Sequence, residues 1–282
     1  LGPSRADRPE SCGNIGILHS NQLGGAPLRM LSLLLLAMSA VAASSASRGT
    51  VLVTGGSRGI GAACCKRLAR DGYTVVVNYK SSQGEAVDVV GEINLEGGDA
   101  ITLQADVSSE AGVVDMFASL DNWIGSGGVP PLTALVNNAG VIGDKEALDA
   151  VTPAAFEAMM ATNVLGPLLC CKEAEKRMAP GSAIVNLSSG SAYIGTPLLY
   201  SMSKGALNSM QHGLIKPLAA KGIRINTVSP GVTDTDMVAG ILDDPERKAT
   251  MEAQIPLGRA GRPEEIAGAV AYLLSPDAAY TS

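Results

Sequence analysis

From Thr50 onward, short runs of β-branched residues alternate with longer helical segments, and this alternation limits the possible folds more than any other feature. Strands are predicted at 50–54, 74–78, 100–105, 132–137, 183–187 and 223–228. Helices are predicted at 60–70, 84–96, 110–124, 153–178, 199–220 and 263–274. Continuous apolar strands need cover on both faces. The sequence therefore predicts an α/β fold with a doubly wound parallel sheet, in one domain.

Residues 1–48 differ from this body and are interpreted as a leader preceding a domain at 49–282. They carry a net charge of +2 (four basic, two acidic residues), which leaves −8 for the rest of a chain of net charge −6. Arg29-Met30 precedes an apolar run, 31–43, that includes an A-x-A-like site, as in a secretory signal peptide. The run is short for a membrane span. A disordered extension, or a true start at Met30, are the alternatives.

Charge, aromatic content and cysteine spacing exclude several functions. A net charge of −6 and only nine aromatic residues (two Phe, six Tyr, one Trp) disfavour nucleic-acid binding. Five cysteines (Cys12, Cys64, Cys65, Cys170 and Cys171) form neither a good disulfide framework nor a zinc motif. We interpret them as reduced, mostly buried residues. With only His19 and His212 besides, no metal site is predicted.

A glycine-rich turn, Thr54-Gly55-Gly56-Ser57-Arg58-Gly59-Ile60-Gly61, follows the first strand directly. Gly55 permits a sharp turn, Gly59 lets the backbone approach a pyrophosphate, and Gly61 lets helix and strand pack closely. Such a turn can be purely structural, but its place at the first strand–helix junction favours dinucleotide binding. The predicted cofactor residues here are Gly55, Ser57, Arg58, Gly59, Ile60 and Gly61.

The end of the second strand bears on which dinucleotide binds. A free ribose 2′-hydroxyl usually meets a carboxylate there, whereas this strand ends in Asn78-Tyr79-Lys80-Ser81. Arg58 and Lys80 place positive charge where a 2′-phosphate would lie. Two solvated surface cations are the alternative interpretation. We predict NADP rather than NAD, with Asn78 in the cofactor site.

Two further motifs lie later in the chain. Asn138, Ala139 and Gly140 follow the fourth strand, and the loop after this strand flanks the crevice of a doubly wound sheet. They are predicted to hold a ribose of the cofactor; a simple turn is the alternative.

Tyr200 and Lys204 lie four positions apart on one helical face. A nearby ammonium is expected to lower the phenol pKa and so make an acid–base pair. Alone, this spacing is a weak pattern and is more typical of a surface tyrosine and a solvated lysine.

Taken in order, the glycine turn, Asn-Asn-Ala-Gly, the strand-end serines Ser188 and Ser189, and Tyr-x-x-x-Lys resemble the short-chain dehydrogenase/reductase family. The resemblance covers residues 50–282. It implies a Rossmann fold and an NADP-dependent oxidoreductase that interconverts a carbonyl and a secondary alcohol by hydride transfer.

The resemblance also implies roles for individual residues. Tyr200 is the general acid in reduction, Lys204 holds the nicotinamide ribose, and Ser189 hydrogen-bonds the substrate oxygen. Asn163 matches the asparagine that supports a water-linked proton relay. Further cofactor contacts are implied for Asp106 and Val107 at the adenine, and for Pro230, Gly231, Val232 and Thr235 along the nicotinamide.

Two departures from the family pattern stand out. The loop between Ser189 and Tyr200 is about two residues shorter than in many relatives, so Ser188 and Ser191 remain alternatives to Ser189. The last edge strand is expected to be missing, because relatives continue past the position of Ser282 into a seventh strand; a truncated sequence is the favoured explanation.

The substrate is left open among ketoacyl thioesters, sugars, and small ketones or aldehydes. The apolar residues at 236–254 fit a lid over the pocket and fit ordinary helix packing equally well. The resemblance implies a homodimer or homotetramer built on the helices at 153–178 and 199–220. A non-catalytic NADP-binding regulatory or scaffold protein is the alternative function. The signal-like leader suggests the secretory route or an organelle, whereas NADPH chemistry and unpaired cysteines suit a reducing interior such as the cytoplasm.

Overall fold

The computed structural model describes residues 47–143 and 148–282, so the predicted leader and Cys12 lie outside the described residues. The strands are β1 (Thr50–Val53), β2 (Thr74–Tyr79), β3 (Asp99–Gln104), β4 (Leu132–Asn137), β5 (Ala183–Leu187) and β6 (Arg224–Val228). The helices are α1 (Gly59–Arg70), α2 (Gln83–Leu95), α3 (Glu110–Gly125), α4 (Pro153–Met160), α5 (Gly166–Glu175), α6 (Ser191–Ile194), α7 (Leu198–Ala219), α8 (Ala239–Leu242), α9 (Pro245–Glu252) and α10 (Pro263–Leu274).

The strands form a single parallel sheet in the order β3-β2-β1-β4-β5-β6. The order reverses between β1 and β4, which places a crevice at the carboxyl ends of these two strands. Because every residue of β1, β2 and β5 is buried, the apolar runs correspond to strands covered on both faces. The predicted doubly wound α/β fold is confirmed.

Two hydrophobic cores lie on opposite faces of the sheet. Val51 and Val53 face one core, which α1, α2 and α10 cover; Leu52 faces the other, which α3, α5 and α7 cover. The alternation of side chains along β1 therefore contributes to both layers. The cysteines of the described residues, at 64, 65, 170 and 171, are free and buried in these cores. Burial raises the pKa of Cys64 to about 12, which keeps this thiol protonated.

The helix predicted at 153–178 departs most from expectation. A π turn at Ala161–Leu165 separates α4 from α5, and the helix ends at Glu175. Past this turn the helix lies against the loop after β3, since a Cβ on Gly166 would be only 2.8 Å from the backbone oxygen of Val107. The stretch Pro153–Glu175 is long and apolar enough to cross a membrane, a property shared by helices that, like this one, pack on a protein core.

Short elements also depart from expectation. Helix α6 lies in the loop before Tyr200, and α8 and α9 form the region predicted only as a loop and helix at 236–254. Among the described residues, β6 forms one edge of the sheet, where the Asn226 side chain donates to the backbone oxygen of Thr281 at 2.9 Å.

Candidate active site

A cavity of about 870 Å³ opens at the carboxyl edge of the sheet. Its walls come from the glycine turn, from the loops after β2 to β6, and from α6 and α7. Every predicted cofactor residue except Gly61 lines it, as do Ser189, Tyr200 and Lys204. Sequence motifs separated by up to 180 positions thus meet at one crevice.

The glycine turn is shaped by backbone geometry that side chains would disrupt. Gly55 and Gly59 have φ of +62° and +54°, values that favour glycine. A Cβ on Gly61 would lie 2.2 Å from the backbone oxygen of Gly55. The Asn138 side chain donates to the same oxygen at 2.9 Å. Gly61 therefore does not line the cavity, but its lack of a side chain allows the helix and the turn to pack this closely.

Asn78 lines the cavity, but its side-chain amide forms hydrogen bonds within the protein. Its Oδ1 accepts from the backbone N–H of Gly55 at 3.3 Å, and its Nδ2 donates to the backbone oxygens of Leu103 and Ala105. The residue is 2% exposed. Asn78 thus anchors the glycine turn to β3, a role that the sequence motif did not reveal.

The two predicted 2′-phosphate cations each face a carboxylate. Arg58 lies 3.8 Å from Asp236, and the ammonium of Lys80 lies 2.7 Å from Asp106. Burial opposes ionisation of Asp106, but hydrogen bonds from Lys80 and Ser108 outweigh it and lower the pKa of this carboxyl. All four charged groups border the cavity, and neither pairing was predicted from the sequence.

Tyr200 and Lys204 lie on the buried face of α7. The Lys204 ammonium is 5.6 Å from the centre of the Tyr200 ring and donates to the backbone oxygen of Leu187 at 2.8 Å. Burial lowers the pKa of Lys204 to about 8, so this group remains largely cationic at neutral pH. The Leu187 bond ties the helix to the end of β5.

The predicted effect on the tyrosine was wrong in direction. Burial raises the pKa of Tyr200, and a hydrogen bond with the Ser189 side chain only partly opposes this. The Lys204 ammonium donates to the Leu187 backbone oxygen, and its presence does not reverse the effect of burial. The buried phenol therefore keeps its proton at neutral pH.

The three candidate serines lie in different surroundings. Ser188 is buried and donates to the backbone oxygen of Lys204 at 2.8 Å. Ser189 contacts Tyr200, and its Oγ accepts from the backbone N–H of Ser191 at 3.1 Å. All three line the cavity, and of the three only Ser189 affects the Tyr200 pKa, which it lowers.

Asn163 is fully buried in the π turn and does not line the cavity. Its Oδ1 accepts from the backbone N–H of Val141, and its Nδ2 donates to the backbone oxygen of Val141, both at 2.8 Å. Nδ2 also donates to Ser203 Oγ at 2.9 Å, and Ser203 donates to the backbone oxygen of Tyr200 at 2.7 Å. Ser203, which sequence reasoning missed, therefore joins the π turn to α7.

A parallel sheet wound in both directions, a glycine turn at its switch point and a buried Tyr–Lys pair define a dinucleotide-dependent oxidoreductase of the Rossmann type. Comparison with known sequences gives the family. Residues 55–282 match a family model described as enoyl-(acyl carrier protein) reductase. The chain belongs to the short-chain dehydrogenase/reductase family.

Two curated relatives illustrate this membership. The uncharacterized oxidoreductase YgfF of Escherichia coli K12 is 43% identical over 239 residues, which cover 82% of this chain and 94% of YgfF. The 3-oxoacyl-[acyl-carrier-protein] reductase FabG of Staphylococcus aureus Mu50 is 36% identical over 235 residues, covering 82% of this chain and 92% of FabG.

Solved structures agree. The angucycline C-6 ketoreductase LanV with bound NADP superposes with a TM-score of 0.77 at 34% identity, covering 84% of this chain and 92% of LanV. A short-chain dehydrogenase from Burkholderia cenocepacia J2315 in complex with NADP gives 0.76 at 34% identity, covering 84% of this chain and 94% of that structure. The fold and the family are therefore established together.

Proposed function

We propose that this oxidoreductase is an NADPH-dependent carbonyl reductase in which Tyr200 donates the proton. The observation that carries the proposal is the meeting of Tyr200, Ser189 and Lys204 at one wall of the cavity, with the phenol protonated and Ser189 close enough to lower its pKa. NADP in the related structures supports the choice of cofactor.

The residues of this chain fit such a cofactor. The glycine turn would leave room for a pyrophosphate, and α1 begins there with no side chain capping its N–H groups. Arg58 and Lys80 would hold the 2′-phosphate, and Asp106 and Val107 border the expected adenine position. When bound, reduced nicotinamide supplies the hydride that reduces a carbonyl carbon.

The protein positions the substrate and supplies the proton. Ser189 donates a hydrogen bond to the carbonyl oxygen, and Tyr200 transfers its proton to that oxygen as the alcohol forms. Lys204 would hold the ribose of the bound cofactor, and its ammonium, 5.6 Å from the ring centre, supplies positive charge near the phenolate left behind. The buried Asn163 side chain acts as a positioning residue, since all its partners are within the protein.

The alternative, a cofactor-binding regulatory or scaffold protein without turnover, is tested by one assay. The purified protein is incubated with NADPH or NADH and a panel of ketones, aldehydes, ketoacyl thioesters and sugars while absorbance at the reduced-cofactor band is followed. We expect NADPH consumption with a subset of carbonyls and a lower rate with NADH. Tight NADPH binding with no consumption across the panel would favour the alternative.

We further propose that the protein is a homodimer or homotetramer that pairs through α4, α5 and α7. Leu165 in the π turn, Leu168 on α5 and Met202 on α7 are 43%, 43% and 49% exposed. Exposed apolar side chains on adjacent helices are typical of subunit interfaces.

The cellular compartment stays a prediction from the sequence of the leader, which lies outside the described residues.

A further inference from the structure

Part of the cavity wall is apolar and consists of residues that are not assigned to the cofactor. Val141 and Ile142 come from the loop after β4, Ile194 from α6, and Met237 and Val238 from the 3₁₀ turn after Thr235. Val141, Ile194 and Met237 are 43%, 74% and 44% exposed. Several large apolar side chains left open beside an active-site cavity are typical of a surface that a ligand covers.

The charged side chains of the cavity lining are not part of this apolar wall. The charged lining residues of the described chain face one another: Arg58 pairs with Asp236 and Lys80 with Asp106. The remaining cation, Lys204, is buried and bonded to the Leu187 backbone. Within the described lining, the serines that follow β5 add neutral hydroxyls to the wall that holds Tyr200.

We propose, resting on the reductase function above, that the substrate is a neutral ketone carrying an apolar alkyl or aryl group. Its carbonyl oxygen lies between Tyr200 and Ser189, and its apolar group covers Ile194, Val141 and Met237. Against the described residues of this wall, a polyhydroxylated carbonyl would leave hydroxyls without partners, and an anionic one would lose hydration without gaining a counter-ion from them.

Variants of Ile194 and its neighbour Tyr193 distinguish ligand binding at this wall from a general effect of removing exposed apolar surface. Both are in α6 and similarly exposed, at 74% and 76%, but only Ile194 lines the cavity. Replacing each with serine removes apolar surface from the same four-residue helix. Ile194→Ser is thus the test variant and Tyr193→Ser its matched control.

The first measurement is kcat/KM with NADPH for 2-butanone, 2-hexanone and 2-octanone, and for acetoacetate against its ethyl ester. We expect kcat/KM to rise about fourfold per added methylene, the factor for burying one methylene in an apolar site. The ester should exceed the anion at least tenfold. Equal values along the series, or a preference for acetoacetate, would overturn the proposal while leaving the reductase function intact.

The second measurement is calorimetric binding of the same ketones with oxidised NADP, a pair that cannot react. Ile194→Ser should weaken 2-octanone binding about tenfold and flatten the chain-length dependence, and Tyr193→Ser should match the wild type. Equal effects of the two variants would also overturn the proposal. If no carbonyl is reduced, the proposed reductase function is wrong, but the titrations still decide whether this wall binds apolar ketones. If the protein does not bind NADP, the titrations are run on the protein alone.

Discussion

Ser203 joins two residues of the proposed active site through a hydroxyl that makes two short hydrogen bonds, to Asn163 and to the Tyr200 backbone. Ser201, two positions away on α7, offers a control, because its buried hydroxyl has no partner within the described chain. Ser203→Ala is expected to lower kcat about tenfold through misplacement of Tyr200. It should also lower the free energy of unfolding by about 1–2 kcal/mol.

Ser201→Ala should leave both quantities close to wild type, since no bond is lost. Ser203→Thr, which keeps the hydroxyl, should recover part of kcat with little change in the KM for NADPH. Equal losses in the two alanine variants, measured by steady-state kinetics and urea unfolding, would argue that Ser203 only fills space.

Lys204 makes stability depend on pH. Its pKa is about 8 when folded, against about 10.5 in an unfolded chain, so the unfolded chain binds more protons between these values. Its contribution to the free energy of unfolding therefore rises as pH increases from 8 to 10.5. Below pH 8 the buried charge costs on the order of 3 kcal/mol.

Lys204→Met is consequently expected to abolish reduction yet raise the melting temperature at pH 7, and to raise it less at pH 10. The exposed Lys216→Met in the same helix is the control and should change neither quantity. Calorimetric melts at the two pH values check this. A lower melting temperature for Lys204→Met at pH 7 would contradict the assigned burial cost.

At the residue scale, the sequence located the chemistry better than its surroundings. Tyr200, Lys204 and Ser189 reach the cavity because their motifs end strands or share a helical face. Ser203 was missed because its partner Asn163 is 40 positions away and the bond exists only in the folded chain. The Tyr200 pKa was misjudged for a similar reason, since the burial that raises it depends on packing.

Among the elements, α1 and the preceding turn depend on the absence of a side chain at Gly61. Gly61→Ala would place a Cβ against the Gly55 backbone oxygen and the Asn138 side chain. We expect the turn to shift, NADPH binding to weaken at least tenfold, and the free energy of unfolding to fall by about 2 kcal/mol. Fluorescence titration with NADPH and urea unfolding measure these changes.

Gly91 is the matched control, because it lies within α2 with open space where a Cβ would be. Gly91→Ala should stabilise the protein by up to about 1 kcal/mol through helix propensity and leave NADPH binding unchanged. Unchanged NADPH affinity in Gly61→Ala would mean that the turn tolerates displacement and does not shape the cofactor site.

Strands were easier to predict than the interruption of a helix. The bounds of β4 and β5 agree with the prediction because apolar runs flanked by turn residues mark a buried strand at both ends. The π turn at Ala161–Leu165 inserts one extra residue into a helical turn and leaves the apolar character of the segment unchanged. The periodicity at 153–178 therefore indicates only one long helix. Within the turn, Asn163 bonds to Val141 and Ser203, tertiary contacts that local sequence does not specify.

Over the whole molecule, the proposed subunit contact predicts how association responds to charge. Leu168→Glu should shift the mass measured by light scattering toward a monomer, because a buried interfacial carboxylate would lose hydration. Leu95→Glu, at a side chain that is 90% exposed at the end of α2, should leave the mass unchanged. A monomeric wild-type protein, or equal behaviour of the two variants, would contradict the contact.

The most direct test of the whole account is the single-turnover rate of carbonyl reduction by Tyr200→Phe with NADPH prebound. The substitution removes the proton donor and keeps the ring within the buried face of α7. We predict a fall of at least about 10²-fold in rate, with NADPH affinity and melting temperature within error of the wild type. Undiminished reduction by Tyr200→Phe would show that the proton comes from elsewhere.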